Sequence, residues 1–291
     1  SAVSRGVEDA PPIGIVAMGR WGGQELSYGS DADCLFVVGD GPGAGEKALR
    51  IVTKLRNLLG RNGADPALIL DADLRPEGRS GPMVRSLESY RKYYGKWSST
   101  WESQALLRAN HGAGDRDLTT ALLECVDNLR YPADGLTAGQ LAEIRKLKAR
   151  MESERIPRGV DPRRHLKLGP GGLSDIEWTA QVIQLQHAGK EPALRTTSTI
   201  EALDAALAAG HVDEEQHQEL RDSWLAASRL RNVIMVVRGR PSDVIPSDSI
   251  DLDVIARALG MGRGASEQLI EDHLRHGRRA SKVVDAVFWN Q

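Results

Sequence analysis

Three short apolar runs near the start of the chain, parted by glycine-rich turns, limit its fold most tightly. Ile13-Gly14-Ile15-Val16-Ala17-Met18 is rich in β-branched residues and halts at Gly19. Cys34-Leu35-Phe36-Val37-Val38 follows and is closed by Gly39-Asp40-Gly41-Pro42, and Ala67-Leu68-Ile69-Leu70 is the third. Short apolar runs bounded by turn residues suit strands buried on both faces. Between the last two, Leu49, Val52, Leu55, Leu58 and Leu59 recur at helical spacing, which predicts a helix over 46–59 with Gly60 as its stop. A short helix over 24–28 is expected in the turn after the first strand. Two more are expected near 87–94 and 100–109.

Beyond about Gly112 the strand signals fade. Leu141, Ile144, Leu147 and Met151 mark a helix, and others are predicted over 175–188, 198–209, 213–237, 252–259 and 266–289. The expected fold is therefore α+β. A small mixed-sheet catalytic domain, residues 1–125, precedes an all-α helical bundle, residues 126–291. The 291 residues are long enough for two ordinary domains, and 41% hydrophobic with 27% charged is a normal globular balance. The chain opens Ser1-Ala2-Val3 without a Met, which reads as a piece of something longer.

Charge and composition narrow the partners. With 38 basic against 40 acidic residues the net charge is −2, so the basic excess that displaces counterions from a polynucleotide is missing. No apolar run approaches the roughly 20 residues needed to cross a bilayer. Neither nucleic acid nor membrane is an expected partner. The two cysteines, Cys34 and Cys125, form no disulfide framework, and a reducing cytoplasm is the expected location. None of the seven His falls into a metal-ligand spacing.

The stretch from Gly19 to Asp33, Gly-Arg-Trp-Gly-Gly-Gln-Glu-Leu-Ser-Tyr-Gly-Ser-Asp-Ala-Asp, carries the chemistry. Glycines at 19, 22 and 23 let backbone N–H groups approach a polyphosphate with no β-carbon in the way. Ser30 can hydrogen-bond a phosphate or orient the neighbouring carboxylate. Asp31 and Asp33 alternate at strand period, so a regular strand projects both from one side. Side-by-side carboxylates repel, and a divalent cation relieves that; Mg²⁺ takes hard oxygen ligands of this kind. Asp71 ends the third run and joins the pair if the strands are neighbours. Three carboxylates suit a two-metal site, one ion activating an attacking hydroxyl and the other clamping a triphosphate.

This order of elements resembles the nucleotidyltransferase superfamily typified by DNA polymerase beta. Gly19 stands at its first glycine, Asp31 and Asp33 at its metal pair and Asp71 at its third carboxylate. The small hydroxyl residue after the first glycine is replaced by Arg20, so Arg20 or Ser30 is expected on the phosphates. The resemblance narrows to bacterial glutamine synthetase adenylyltransferase. It is carried by the Gly19–Asp33 motif, by Asp71-Ala72-Asp73-Leu74-Arg75-Pro76-Glu77-Gly78, by Thr100-Trp101-Glu102-Ser103-Gln104-Ala105-Leu106-Leu107-Arg108-Ala109, and by Lys167-Leu168-Gly169-Pro170-Gly171-Gly172-Leu173-Ser174-Asp175-Ile176-Glu177-Trp178. Asp73 departs from the family pattern, where Arg is expected.

The resemblance points to the C-terminal, adenylylating half of that enzyme. It implies transfer of AMP from ATP to a tyrosine of glutamine synthetase, with two Mg²⁺ ions on Asp31, Asp33 and Asp71. It also implies that the helical domain presents the target and receives a PII-type nitrogen signal protein. Two alternatives stay open: a deadenylylating half that uses the same carboxylates with phosphate as nucleophile, and a catalytically silent signal-protein-binding module.

Several residues carry two readings. Arg75 is either a triphosphate contact or a salt-bridge partner, and Arg79 and Arg85 share that ambiguity. Glu102 reads as a structural partner on its helix, while Arg108 is a candidate for reaching the nucleotide. Asp175 suits a helix N-terminus; Glu177 and Lys167 are candidates for the cleft or the protein substrate. Trp97 and Trp101 read as one helix face packed in the core, with adenine stacking as the lesser alternative, and His273 and His276 as solvated.

Overall fold

The computed structural model describes residues 9–61, 63 and 67–290, so the opening Ser1-Ala2-Val3 lies outside it. The chain forms two compact units, Ser1–Asp134 with Arg195–Ser198, and Gly135–Leu194 with Thr199–Gln291. The expected boundary at 125/126 falls inside a helix, Arg116–Arg130, that covers the sheet of the first unit.

The first unit is built on a five-stranded mixed sheet. Strand β1 (Ile13–Ala17) leads through a single helical turn, α1 (Gly19–Gly22), into β2 (Ala32–Val38). Helix α2 (Ala44–Leu59) is followed by β3 (Leu70–Asp71), β4 (Val84–Ser86), α3 (Leu87–Tyr94), α4 (Thr100–Leu106), β5 (Asn110–Gly114) and α5 (Arg116–Arg130). The strand order is β3-β2-β1-β5, with β4 also on β2. β2 runs antiparallel to β1, and its other edge pairs in parallel with β3 at Ala32–Asp33 and with β4 at Phe36–Val38.

The apolar run of β2 is buried on both faces because each face meets helices. Cys34, Phe36 and Val38 pack with Ala48 and Val52 of α2. Leu35 and Val37 pack with Leu87, Tyr90, Leu106, Leu122 and Val126 on the opposite side. The Tyr90 hydroxyl, fully buried, donates to the Phe36 carbonyl at 3.2 Å, which satisfies it. Burial pushes the Cys34 thiol up to about 12, so it stays protonated and behaves as a small apolar residue.

Local differences from the expected elements have physical causes. The helical turn sits at Gly19–Gly22 rather than over 24–28, because Gln24 adopts φ +58, which ends a right-handed turn. β3 is confined to two residues, although the Ile69 carbonyl still accepts from Ala32 N–H at 2.8 Å. Trp97 precedes α4 instead of lying on it, and both Trp97 and Trp101 are exposed, at 71% and 38%, so neither packs in the core.

The second unit is helical. It contains α6 (Ala138–Arg155), α7 (Leu173–His187), α8 (Thr199–Ala208), α9 (Glu214–Arg238), α10 (Ser249–Ala258) and α11 (Ser266–Val284), with a π turn over Asp285–Trp289. Capping boxes open α6 (Thr137 with Gln140) and α9 (Asp213 with Gln216), each satisfying two N–H groups that the helix itself leaves unpaired. α7 is almost wholly buried from Leu173 to Leu185, so it is the central helix of this unit. Its Asp175 accepts from the Gly171 N–H at 2.7 Å and pairs with buried Lys148 of α6, which gives it the expected capping role and a charge partner.

Candidate nucleotidyl-transfer site

Register brings two of the expected carboxylates together. In the parallel pairing of β2 with β3, Asp33 is the direct partner of Asp71, and paired residues on adjacent strands project to the same face. Asp31 is exposed and stands just before β2 begins at Ala32. The strict same-side alternation expected for Asp31 and Asp33 therefore has only one of them inside the strand. Asp71 spends Oδ1 on the Asp73 N–H at 2.7 Å, a local turn that fixes its carboxylate at the strand end.

Gly19 makes the room beside this pair. It has φ +51, and a β-carbon there would stand 2.3 Å from Oδ2 of Asp33. The residue after β1 thus lies directly against the Asp33 carboxylate, while Met18 N–H donates to the Asp33 carbonyl at 2.8 Å. The glycine is demanded twice, by backbone conformation and by contact.

Arg108 braces the turn from outside. Its Nε donates to the Gly19 carbonyl at 3.0 Å and its Nη2 pairs with Glu25, both side chains being almost fully buried. Sequence reasoning made Arg108 a candidate for reaching the nucleotide and did not single out Glu25. The only signal for Glu25 was its place inside the glycine-rich motif. Ser198 Oγ lies 3.5 Å from the other Glu25 oxygen, so the short segment Arg195–Ser198 also lines this turn.

The remaining expected phosphate ligands have structural work. A β-carbon at Gly22 would lie 1.7 Å from the Arg108 carbonyl, and one at Gly23 would lie 2.2 Å from Arg108 Nη2 and 2.8 Å from the Thr197 carbonyl. These glycines are small because the 107–109 backbone and the Arg108 guanidinium pack on them. Arg20 is buried and its Nη1 donates to Ser27 Oγ at 3.3 Å. Arg75 is turned into its own loop: Nε donates to the Gly81 carbonyl at 2.9 Å, and Nη1 and Nη2 donate to the Ala72 and Arg79 carbonyls at 2.8 and 3.1 Å. Its guanidinium is a staple for the loop after β3, the outcome that the salt-bridge reading came nearer to. Ser30 is half-buried at the end of the turn.

Neighbouring charges explain Asp73. Arg79 bonds it at 2.6 Å and Arg75 at 3.4 Å, and these cations hold its carboxyl below the usual range. Arg85, buried, pairs with Glu77 and lies over the Tyr93 ring, and Glu102 closes a capping box with Ser99. Both are structural.

The donor types and the Asp33–Asp71 register fit a hard divalent cation. Among the described residues, however, the one set of three His, Cys, Asp or Glu ligand atoms within 4.8 Å of one another lies in the second unit. Asp31, Asp33 and Asp71 do not all converge to that distance, as expected of carboxylates that repel.

Comparison with known proteins extends this picture. The family model described as glutamate-ammonia ligase adenylyltransferase matches residues 2–125, and the one described as GlnD PII-uridylyltransferase matches residues 142–289. The bifunctional glutamine synthetase adenylyltransferase/adenylyl-removing enzyme of Cutibacterium acnes is 87% identical over 291 residues, covering 100% of this chain and 30% of that protein. The proteins of the same description in Streptomyces coelicolor and Mycobacterium tuberculosis are 51% and 49% identical, over 94% and 95% of this chain and 28% of each relative. The chain thus spans about 30% of the length of the curated relatives it matches. The expected placement in a C-terminal half is not borne out by this match, which covers 30% of the relative's length.

Proposed function

Since the chain belongs to the glutamate-ammonia ligase adenylyltransferase family, we propose that its first unit transfers AMP from ATP to a tyrosine hydroxyl of glutamine synthetase, releasing pyrophosphate. The observation that carries this reading is the pairing of Asp33 with Asp71 beside Gly19, which leaves two carboxylates on one face of a strand end with backbone close by.

Asp33 and Asp71, joined by Asp31, would hold Mg²⁺. When bound, the ions would lower the pKa of the attacking hydroxyl and neutralise the triphosphate. The chain's own residues do the rest. Gly19 keeps the wall beside Asp33 flat, so a phosphate chain can approach the carboxylates without meeting a side chain. Arg108 and Glu25 fix the Gly19 carbonyl, and Gly22 and Gly23 let that brace close. Holding the acceptor hydroxyl in line with the α-phosphorus is positional catalysis, which a rigid turn serves better than a mobile loop. Ser30 borders the turn and is the hydroxyl we assign to a phosphate; Arg20 and Arg75 act by holding the loops in shape.

Incubation with ATP, Mg²⁺ and unmodified glutamine synthetase tests this. The expected result is a gain of one AMP on the target, read by mass spectrometry, that Asp33→Ala reduces by at least about 10²-fold, since a metal supplies several kcal/mol of charge stabilisation. A second reading is favoured by the relatives' description as adenylyl-removing: the same carboxylates would serve phosphorolysis. Loss of AMP from modified glutamine synthetase, with no gain on the unmodified enzyme, would establish that direction instead. A silent module would show no Mg²⁺-dependent ATP binding by calorimetry. The helical unit, matched by the PII-uridylyltransferase model, is the proposed receiver of a PII-type signal protein.

A further inference from the structure

Far along the sequence from the carboxylates, two histidines and a glutamate meet in the second unit. His187 is the last residue of α7. The coil continues past it, with Lys190 and Glu191 N–H groups both donating to the His187 carbonyl at 2.9 and 3.0 Å, so Glu191 keeps helical spacing and lies one turn on. His211 arrives from the end of α8. There Gly210 adopts φ +79 and the His211 N–H reaches back to the Ala206 carbonyl at 2.9 Å, a Schellman closure that fixes where the residue stands.

The side chains converge. The imidazoles of His187 and His211 stack with centroids 3.8 Å apart and planes 20° from parallel, and His211 Nε2 is 2.8 Å from Glu191 Oε2. One ligand atom from each of the three lies within 4.8 Å of the others, and all three residues are half-buried. We propose that His187, Glu191 and His211 form a binding site for a borderline divalent cation of the Zn²⁺ type, which ties the end of α7 to the end of α8.

Two imidazoles and one carboxylate are a three-ligand set that Zn²⁺ accepts, with its fourth position left to water. Half-burial lets water reach that position. Bonds of about 2.0–2.1 Å in a tetrahedron set ligand atoms about 3.3 Å apart, so metal binding opens the Glu191–His211 contact by about half an ångström and tilts the stacked imidazoles until their in-plane lone pairs meet at one ion. Mg²⁺ is the wrong ion for two nitrogen donors. Burial, with the neighbouring His211 second, lowers the pKa of His187, which favours the neutral imidazole that binds metals. A plain His211–Glu191 ion pair accounts for one contact and leaves the His187 ring stacked on a second imidazole, an arrangement that is repulsive whenever both are charged.

The test uses the whole chain, stripped by a chelator and titrated with ZnCl₂ by calorimetry, and with Co²⁺ followed by absorption. Expected are one Zn²⁺ per chain, tetrahedral Co²⁺ bands, a rise in Tm on adding Zn²⁺, and no competition from excess Mg²⁺. His211→Gln and His187→Gln should each weaken binding by at least about 100-fold, the upper end of what losing even an outer-shell partner costs. His217→Gln, which alters a different His–carboxylate contact, should leave binding unchanged. Glu191→Gln is the variant to use if either His variant misfolds by circular dichroism, and it should abolish the Tm rise. Absence of stoichiometric Zn²⁺ binding by the wild-type chain, or equal affinity in a folded His211→Gln or Glu191→Gln protein, overturns the assignment.

Discussion

At Gly19 a single absent methyl decides whether Asp33 can sit where it does. Gly19→Ala would put a β-carbon 2.3 Å from the carboxylate on a backbone of φ +51. Left-handed backbone costs an L-residue roughly 1–2 kcal/mol, so denaturant melts should show that loss together with near-complete loss of nucleotidyl transfer. Arg108→Met should cost about 3–5 kcal/mol by the same measurement, because it removes one partner of a buried ion pair, the guanidinium that meets Glu25 and donates to the Gly19 carbonyl. The double variant Glu25→Gln with Arg108→Met should recover part of that. The neighbouring positions of Asp33 and Asp71 were legible in the sequence as acids at the edges of apolar runs, although the strand-period spacing of Asp31 and Asp33 was not the reason, since Asp31 stands before β2. The packing partners of Arg20, Arg75, Gly22 and Gly23 were not legible: a guanidinium serves backbone carbonyls as readily as phosphates, and a glycine admits a neighbouring chain as readily as a ligand.

Element by element, the two runs that read as strands and became full strands, β1 and β2, are almost wholly buried, whereas the third, with Ile69 exposed, gives only the two residues of β3. β5 escaped notice because Asn110-His111-Gly112-Ala113-Gly114 contains no β-branched residue; it is a strand only because β1 offers an open edge. Its glycines are required, since a β-carbon at Gly114 would stand 2.2 Å from the Ile13 carbonyl. α5 is a different miss. Its Leu122 and Val126 lie at helical spacing and Asp115 caps it through the Leu118 N–H at 2.9 Å, so the signal was present in the sequence. This helix closes one face of the sheet, and Leu122→Ala should destabilise the first unit by about 2–5 kcal/mol in urea. The His187–Glu191 spacing was likewise readable as i and i+4, but His211 joins them only through the turn after α8.

Over the whole molecule, acid sensitivity concentrates in the second unit. His165 is buried, and its Nδ1 accepts from the Lys167 and Leu168 N–H groups at 3.3 and 3.1 Å, which only the neutral ring can do. Burial lowers its pKa, and burial likewise lowers those of His187 and His273. His273, expected to be solvated, in fact lies 2.9 Å from the Arg163 carbonyl. A folded pKa below the unfolded one means the unfolded chain binds more protons. Stability is therefore full above the ordinary histidine pKa, about 6.5, and falls as pH drops from there toward the folded values. Thermal melts from pH 7.5 to 5 should show this decline, and His165→Asn, whose amide oxygen can accept in place of Nδ1, should flatten it.

The ownership of residues 195–198 has a consequence for inheritance. Thr197 closes on Gly23 and Ser198 reaches Glu25, yet these four residues are encoded amid the helices of the other unit. A single crossover at 134/135 between diverged genes would graft one lineage's turn onto another's clasp. Chimeras with that junction should be less stable than either parent unless residues 195–198 travel with the first unit, which makes this a two-piece exchange rather than a modular one.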